Sequence, residues 1–361
     1  MNNRREMEDF EVSYTKKDLI LYALSLGMGS SIDDKNELKF LYEQHDKFTA
    51  VPTFALALTF WADKKNSGTN NFQGIPSFPP PLMASGEVLP IRFLRKNDNG
   101  NIIDILNLPV IHTWQSIVWH QSLKIPTGIN KDQVKTKINL ETISVQPKSI
   151  GTFVTSQTKI KYGEDNANNN QRLCTIQGTV LVLGVDPKYV ATFDSRIQQL
   201  ASKPKIPSSS FKKPIFEWIF QSSQSQALLY RMTSGDSNHI HVDNSASDML
   251  GSDTKAPLLH GLFTLALVYR AVIKLIDGGC NSFDIGDDFN VIFRRLEGKF
   301  KAPAYVGDCL CVKIWNGMKA ADTKNFVFVV TNHVTGQTLL DCGYAEVAII
   351  SQLLSTKKSR M

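Results

Sequence analysis

The sequence has few of the features that mark secreted, membrane or disulfide-rich proteins. Its 361 residues include only five cysteines, none in a Cys-x-x-Cys pair, so no disulfide scaffold is indicated and a reducing compartment is expected. The opening stretch MNNRREMEDF has no apolar core, and we expect no signal peptide. The most apolar window, Leu258 to Ile276, is interrupted by His260, Arg270 and Lys274. We therefore expect no membrane span.

The sequence also has only a small excess of charge. Forty Lys and Arg against 34 Asp and Glu give a net charge of +6 and a pI near 8.9. This balance suits a polyanionic small ligand as well as nucleic acid, and no motif supports nucleic acid. The segment Gly27-Met-Gly-Ser-Ser-Ile32 lacks the third glycine of the dinucleotide fingerprint and follows a predicted helix. No dehydrogenase domain is therefore predicted.

A change in composition divides the chain into two halves. The stretch QLASKPKIPSSSFKKP, residues 199–214, is rich in proline, serine and lysine and has no apolar period, which is typical of a linker. We predict an N-terminal domain over residues 1–198, a linker over 199–214, a C-terminal domain over 215–355 and a tail over 356–361.

The two halves repeat one order of elements. The helix AVPTFALALTF in the first half matches APLLHGLFTLALVY in the second, and an Ile/Val-rich strand ending at a proline follows each, at Pro126 and Pro303. This order indicates duplication of one α+β unit. The helix predicted from Pro257 is apolar almost all round, so it must be enclosed. We predict a long central helix wrapped by an antiparallel sheet, present twice.

Further elements follow from local patterns. A capping-box-like start at Thr15 and Asp18 predicts the first helix. Alternating and apolar runs predict strands at 116–123, 150–160, 174–185, 290–300, 308–315, 325–332 and 338–349.

The densest polar cluster lies between apolar runs of the second half. Asp236, Asn238 and His241 fall within six residues, and a carboxyl group, an amide and an imidazole together can hold one water and move its protons. About twenty residues later, His260 and Gly261 open the apolar helix. Its first N–H groups are unpaired, and a glycine there lets a ligand approach closely. The pattern predicts an active site.

These residues carry a family resemblance. YRMTSGDSNHIHVD followed by APLLHGL resembles the signature of the hydratase 2 (MaoC-like) family: a tyrosine, then Ser-Gly-Asp-x-Asn-Pro-Leu-His, then Pro-x-Leu-His-Gly-Leu. KFKAPAYVGDCLCVKIW is similar to that family's Phe-x-x-Pro stretch, and KDLILYALSLG, LKFLYEQ and VIHTWQSIVWHQSLKIP resemble its degenerate N-terminal repeat. The resemblance covers most of the chain. It implies an α+β fold of two hot-dog units, a pseudo-dimeric double hot dog.

The resemblance also implies an activity, the reversible hydration of trans-2-enoyl-CoA to (3R)-3-hydroxyacyl-CoA in fatty-acid β-oxidation. The catalytic residues that it implies are Asp236, His241, Asn238 and Gly261. The substrate contacts that we expect are Tyr230, Arg231, Gly235 and His260. The candidates for the CoA phosphates are Arg231, Arg294, Arg295, Lys299 and Lys301, with solvated strand edges as the alternative.

The chain departs from the family pattern at three places. One extra residue separates Tyr230 from Gly235, His239 replaces the usual proline, and the Asp-to-Gly spacing is two residues longer, which we place in a loop over 251–255. None of these removes a catalytic atom. His239 and His241 form an His-x-His pair, but no third ligand stands at a recognisable spacing, so no metal is predicted. We expect no cofactor beyond the CoA of the substrate.

The first half lacks both the His-Gly pair and a Gly-Asp-x-Asn cluster, so we expect it to shape the acyl tunnel rather than to catalyse. The final Ser359-Arg360-Met361 resembles the Ser-Lys-Leu signal and predicts binding to the peroxisomal import receptor and a place in the peroxisome matrix; a frayed polar tail is the alternative. A homodimer is expected. Two rival functions stay open, a hot-dog acyl-CoA thioesterase and a catalytically silent acyl-CoA-binding homologue.

Overall fold

The computed structural model describes most of both halves of the chain. The described residues are 10–30, 35–66, 95–96, 102–103, 110–127, 132–163, 172–183, 187, 190, 192–194, 213–236, 238–244, 255–278, 289–318 and 323–351. All but the last two residues of the predicted linker, and the whole predicted tail, lie outside them. The division into domains at these points stays a prediction.

The described residues form five α-helices and thirteen strands. The helices are α1 (Lys16–Ser25), α2 (Leu38–Leu41), α3 (Phe54–Asn66), α4 (Gln226–Ser234) and α5 (Gly261–Asp277), with short 3-10 turns at Lys35–Glu37 and His239–His241. The strands of the first half are β1 (Phe10–Tyr14), β2 (Arg95–Lys96), β3 (Ile102–Ile103), β4 (Val110–Trp119), β5 (Val134–Lys148), β6 (Gly151–Tyr162), β7 (Arg172–Val182) and β8 (Phe193–Asp194). Those of the second half are β9 (Phe216–Gln221), β10 (Phe289–Phe300), β11 (Cys309–Asn316), β12 (Lys324–Asn332) and β13 (Thr338–Ser351).

One antiparallel sheet runs through both halves. Its order is β1-β5-β6-β7-β4-β10-β13-β12-β11-β9, with β8 beside β5. Read outward from the central pair, the second five strands repeat the first five, since β4 corresponds to β10, β7 to β13, β6 to β12, β5 to β11 and β1 to β9. Strands β4 and β10 join the units, with Val118 opposite Arg295 and Trp114 opposite Lys299. The predicted α+β class and the duplication are confirmed.

The start of α1 is set by local hydrogen bonds, whereas the start of α5 is set by a tertiary contact. Helix α1 begins at the predicted capping box, in which the Asp18 N–H donates to Thr15 Oγ1 and the Thr15 N–H donates to Asp18 Oδ2. Helix α5 begins at Gly261 instead of the predicted Pro257. The preceding residues are extended because the Leu259 N–H donates to the Ala304 carbonyl (2.8 Å) and so pairs with a loop of the second unit.

Helix α5 is enclosed, as predicted. Fourteen of its 17 residues are buried, and burying a Leu, Val, Ile or Phe side chain stabilises a fold by about 1.5–3 kcal/mol. It packs against β10, β11 and β12 of its own unit, while Phe40 of the first unit meets Tyr269 edge-on, with ring centroids 6.1 Å apart. Within the described part of the chain, no helix has the length and hydropathy needed to span a bilayer.

Eight of the described elements were not predicted: the helices α2 and α4 and the strands β1, β2, β3, β5, β8 and β9. Strand β5 has the sequence VKTKINLETISVQPK, in which lysine, threonine and glutamate hide the alternation of apolar residues. Its inner face places Ile138 and Leu140 in buried positions, while Glu141 on the other face accepts hydrogen bonds from Gln157 and Lys159. Among the described residues, Cys174, Cys309, Cys311 and Cys342 are free thiols.

A buried ion pair ties the two units together. Arg270, in the middle of α5, is 4% exposed, and so is Glu37 of the first unit. The Arg270 Nη2 donates to Glu37 Oε2 at 3.0 Å and its Nη1 donates to the Leu26 carbonyl at 3.1 Å. Glu37 Oε2 also accepts from the Gly29 N–H at 2.9 Å. The segment before α2 is thereby fixed to the central helix of the other unit.

This ion pair gives a prediction about stability. Replacing Glu37 with Gln leaves Arg270 buried without a counter-charge, so we expect the free energy of unfolding to fall by about 3–5 kcal/mol. Urea unfolding of the purified variant measures the change. Lys39→Ala is the matched control, because its ion pair with Asp277 (3.1 Å) joins side chains that are 24% and 20% exposed and should contribute no more than about 1 kcal/mol. Equal losses in the two variants would contradict the prediction.

Candidate active site

Three segments of the second unit meet at the start of α5. They are residues 230–236 with 238–241, residues 257–261 and residues 300–306. The Leu258 N–H donates to the Ile240 carbonyl at 3.0 Å and the Leu259 N–H donates to the Ala304 carbonyl at 2.8 Å. The extended segment before α5 is thus held between the other two, and the side chains of all three segments converge.

Gly235 sets the direction of the first segment. It ends α4 with φ +82°, and its N–H donates to the Arg231 carbonyl at 3.0 Å. Glycine adopts this left-handed conformation without steric cost. The chain then turns inward, so that Asp236 is 5% exposed. Gly235 was predicted as a substrate contact. Its left-handed conformation explains why this position is glycine.

Asn238 shapes the turn that carries the histidine. Its N–H donates to Asp236 Oδ1 at 3.0 Å, and its side-chain Oδ1 accepts from the Ile240 N–H at 3.3 Å, at the start of the 3-10 turn over 239–241. The turn buries His241 and leaves His239 exposed. The two histidines therefore lie on different sides of the turn, one buried and one exposed.

The position of His241 defines its tautomer. Its Nδ1 lies 2.9 Å from the Leu258 carbonyl oxygen, and because a carbonyl only accepts, Nδ1 carries the proton. Nε2 lies 3.9 Å from Asp236 Oδ2, too far for a direct hydrogen bond but close enough for both to contact one water. Burial lowers the pKa of His241, while the Asp236 carboxyl group and the Leu258 hydrogen bond oppose this effect. A neutral ring with a free lone pair on Nε2 is the favoured form.

His260 lies directly against His241. The two rings are stacked, with centroids 3.6 Å apart and planes 21° from parallel, and the Tyr230 ring lies 4.9 Å from that of His260. His260 is 2% exposed, and neither of its ring nitrogens has a hydrogen-bond partner among the described residues. Burial lowers its pKa well below the usual value, with His241 and Arg231 adding to the shift. The Arg231 Nε is likewise buried without a partner in the described part of the chain.

The fold supplies a third group that sequence spacing did not reveal. An oxygen of Asp236 and one ring nitrogen each of His241 and His260 all lie within 4.8 Å of one another. The sequence offered no third ligand at a recognisable spacing from His239 and His241; the fold places His260, rather than His239, beside Asp236 and His241.

Gly261 offers a free backbone amide. It is the first residue of α5, and its N–H makes no hydrogen bond to any described residue. A Cβ atom at this position would meet the Phe300 ring at 3.1 Å, so glycine is needed for packing as well as for access. The helix start and the free N–H together favour an oxygen that carries negative charge. Phe300 was not singled out by sequence reasoning, although it opens the quoted KFKAP motif.

The matching position of the first unit is closed. Phe54 is the first residue of α3, is fully buried, and donates its N–H to the Val51 carbonyl at 3.0 Å. Its ring meets Tyr14, Tyr22 and Trp61 edge-on at 5.4, 5.5 and 5.4 Å. No backbone donor is left for a ligand at this helix start, which supports the expectation that the first unit does not catalyse.

The remaining basic candidates divide into two groups. Arg295 donates to Glu297, which is 1% exposed, through Nη2 at 2.6 Å and Nε at 3.0 Å. Its charge is thus already paired within the sheet. Lys299 and Lys301 are exposed on and beside the end of β10, near Phe300.

Comparison with known proteins gives two family matches. Residues 205–338 match the model of the MaoC like domain, and residues 12–87 match the MFE-2 hydratase 2 N-terminal domain. The chain is 25% identical over 338 residues to a peroxisomal multifunctional enzyme type 2 of Drosophila melanogaster, covering 92% of this chain and 46% of that protein. It is also 25% identical over 320 residues to a peroxisomal enoyl-CoA hydratase 2 of Arabidopsis thaliana, covering 86% and 84%. The chain thus spans about half of the fly relative.

Solved structures share the fold. A MaoC-like dehydratase from Phytophthora capsici superimposes with a TM-score of 0.64 at 21% identity, covering 97% of this chain and 99% of that one. The full-length multifunctional enzyme type 2 of Drosophila melanogaster gives a TM-score of 0.61 at 22% identity over 94% of this chain and 48% of that one. The predicted double hot-dog fold is confirmed.

The buried histidines predict a pH dependence of stability. In the unfolded chain a histidine has a pKa of about 6.5, whereas the folded protein lowers the pKa of both His241 and His260. Below that pH the unfolded state binds protons that the folded state does not. The free energy of unfolding should therefore fall as the pH drops from about 7.5 to about 5.5, by up to about 1.4 kcal/mol per pH unit for each group.

The substitution His260→Phe separates the contribution of His260 to the pH dependence of stability from the contributions of the other titrating groups. The variant should lose less stability than the wild type over the same pH interval, as measured by urea unfolding at both ends. His239→Phe, at the exposed neighbour, should show the wild-type dependence. A His260→Phe variant with an unchanged slope would contradict the prediction.

Proposed function

We propose that this chain, a member of the MaoC-like hydratase 2 family, catalyses the reversible hydration of trans-2-enoyl-CoA to (3R)-3-hydroxyacyl-CoA. The observation that carries the proposal is the placement of His241 Nε2 and Asp236 Oδ2, 3.9 Å apart, beside the start of α5, where the Gly261 N–H has no hydrogen-bond partner among the described residues. The names of the fly and Arabidopsis relatives support the same reaction.

The acid/base groups activate the water. A water between His241 Nε2 and Asp236 Oδ2 donates one hydrogen bond to each, which leaves a lone pair directed at the β-carbon. The free lone pair of Nε2 takes the proton as the oxygen–carbon bond forms. The family resemblance implies that Asn238 also contacts this water. Its Oδ1 accepts from the Ile240 N–H, and we assign its amide N–H groups to the contact with the water.

The helix start stabilises the charge that develops. As water adds, the π electrons move through the α-carbon to the thioester oxygen, where the Gly261 N–H donates to the enolate. The loss of such a donor typically costs about 3–4 kcal/mol of transition-state stabilisation. The cluster of Asp236 and His241 then delivers a proton to the α-carbon, so that one water is added overall and no cofactor is consumed.

The first expected result concerns the acid/base pair. Asp236→Asn and His241→Gln keep the size of each side chain and remove its basic atom, so kcat for crotonyl-CoA should fall by about 10²–10⁴-fold. The loss of the enoyl absorbance measures the rate. Asp243→Asn is the matched control, because Asp243 lies two residues beyond His241 and is exposed; it should retain wild-type activity.

The same assay decides between the rival functions. A thioesterase would release free thiol from the acyl-CoA without consuming the enoyl group, and a silent homologue would bind the substrate and turn over neither bond. Chiral analysis of the product tests the stereochemistry. A (3S) product from the wild-type chain would contradict the family-based assignment.

We propose that the protein works in the peroxisome matrix, because relatives from fly, yeast and Arabidopsis carry peroxisomal names and the chain ends in Ser359-Arg360-Met361. These three residues are expected to bind the import receptor. A fluorescent protein ending in the last twelve residues of this chain should accumulate in peroxisomes. The same fusion without the final three residues should stay in the cytosol, and equal distributions would contradict the proposal.

We propose a homodimer that forms through an apolar surface on α1 and α4. Five side chains on these adjacent helices are exposed: Leu21, Leu24, Leu228, Leu229 and Met232, at 40, 46, 46, 48 and 70%. Contiguous apolar patches of several hundred Å² mark interaction sites, and a stable interface buries roughly 800 Å² on each partner. Light scattering of the purified protein should give the mass of two chains.

A further inference from the structure

His260 is a buried polar residue that the mechanism above does not use. Its side chain is 2% exposed and both ring nitrogens are without a partner among the described residues. A buried N–H without an acceptor costs about 1–3 kcal/mol, and a phenylalanine would fill the same space without that cost. An unpaired polar ring in this place therefore points to a bound group that satisfies it.

The geometry locates that group. One ring nitrogen of His260, one of His241 and an oxygen of Asp236 lie within 4.8 Å of one another. Any triangle with sides no longer than this has a point within about 2.8 Å of all three corners, which is a hydrogen-bond distance. A single water placed at that point would be at hydrogen-bond distance from all three groups. That position is where the proposed mechanism requires the reacting water.

The hydrogen-bond roles are complementary. The water donates its two protons to Asp236 Oδ2 and His241 Nε2, keeps one lone pair for the β-carbon, and has one lone pair left to accept a hydrogen bond. The amide of Asn238 and the N–H of His260 are the two candidates. Stacking on His241, 3.6 Å away, fixes the His260 ring, and burial keeps it neutral, so it always carries one N–H.

We propose that His260 is a catalytic residue of the hydration reaction, which donates a hydrogen bond to the nucleophilic water and orients its attacking lone pair. The proposal rests on the proposed hydratase function. In the step itself, the water oxygen bonds to the β-carbon, one water proton moves to His241 Nε2, and the π electrons move to the thioester oxygen held by Gly261. His260 exchanges no proton in this step; it fixes the orientation of the oxygen.

Two substitutions separate the hydrogen bond from the stacking. His260→Phe keeps an aromatic ring against His241 and removes both nitrogens. His260→Gln keeps an N–H donor and removes the ring. If the hydrogen bond matters, kcat for crotonyl-CoA should fall by about 10–100-fold in the Phe variant, with little change in KM, and the Gln variant should retain at least about threefold more activity than the Phe variant.

The controls make each outcome decisive. His239→Phe, at an exposed position of the same turn, should behave as the wild type. If His260→Phe is folded and as active as the wild type, or if the Gln variant is no more active than the Phe variant, stacking is the only role of His260 and the proposal is wrong. If melting curves show that one variant fails to fold, the other decides by itself: an active Phe variant or an inactive folded Gln variant overturns the proposal. A wild-type chain without hydratase activity would instead overturn the proposed function.

Discussion

The enclosure of α5 is the constraint on which the rest of the structure depends. A helix with 14 of 17 residues buried must be covered on every side. The sheet of the second unit covers one side, and the first unit covers another through Phe40 and the buried Glu37. The first unit, which arose by duplication, thus covers the side of α5 that its own sheet leaves open. The same enclosure fixes the start of the helix at Gly261, where a free N–H is presented beside an acid/base pair.

The polar groups of the site are held mainly by backbone. Leu258 contributes a carbonyl that fixes the tautomer of His241 and an N–H that bonds to Ile240. Asn238 bonds to Asp236 on one side and to Ile240 on the other. The burial of His241 and His260 without full hydrogen bonding lowers the stability of this region, and such local cost is characteristic of sites that are preorganised for a ligand.

Much of this could be predicted from the sequence because the signals are local. The apolar helix, the capping box at Thr15 and the cluster from Asp236 to His241 are each read within a few residues. The strand β5 was missed because two threonines flank the apolar residues Ile138 and Leu140 on its inward face, and that face is recognisable only once β6 is beside it. The contact between His260 and His241 joins residues 19 positions apart in sequence, so no spacing rule reveals it. The start of α5 was placed too early because the bond between Leu259 and Ala304 is a tertiary one.

The Glu37–Arg270 ion pair limits whether the second unit can exist without the first. In the first unit, the N–H at the start of α3 belongs to Phe54 and is already bonded to the Val51 carbonyl. The proposed chemistry alone would therefore not require this unit to be retained. Here it also supplies the only acidic side chain that contacts the guanidinium group of Arg270 among the described residues. A gene fragment encoding the second unit alone would therefore carry an arginine in its interior with no counterion. On this reasoning, the first half is retained because the second half would otherwise hold a buried arginine without a counter-charge.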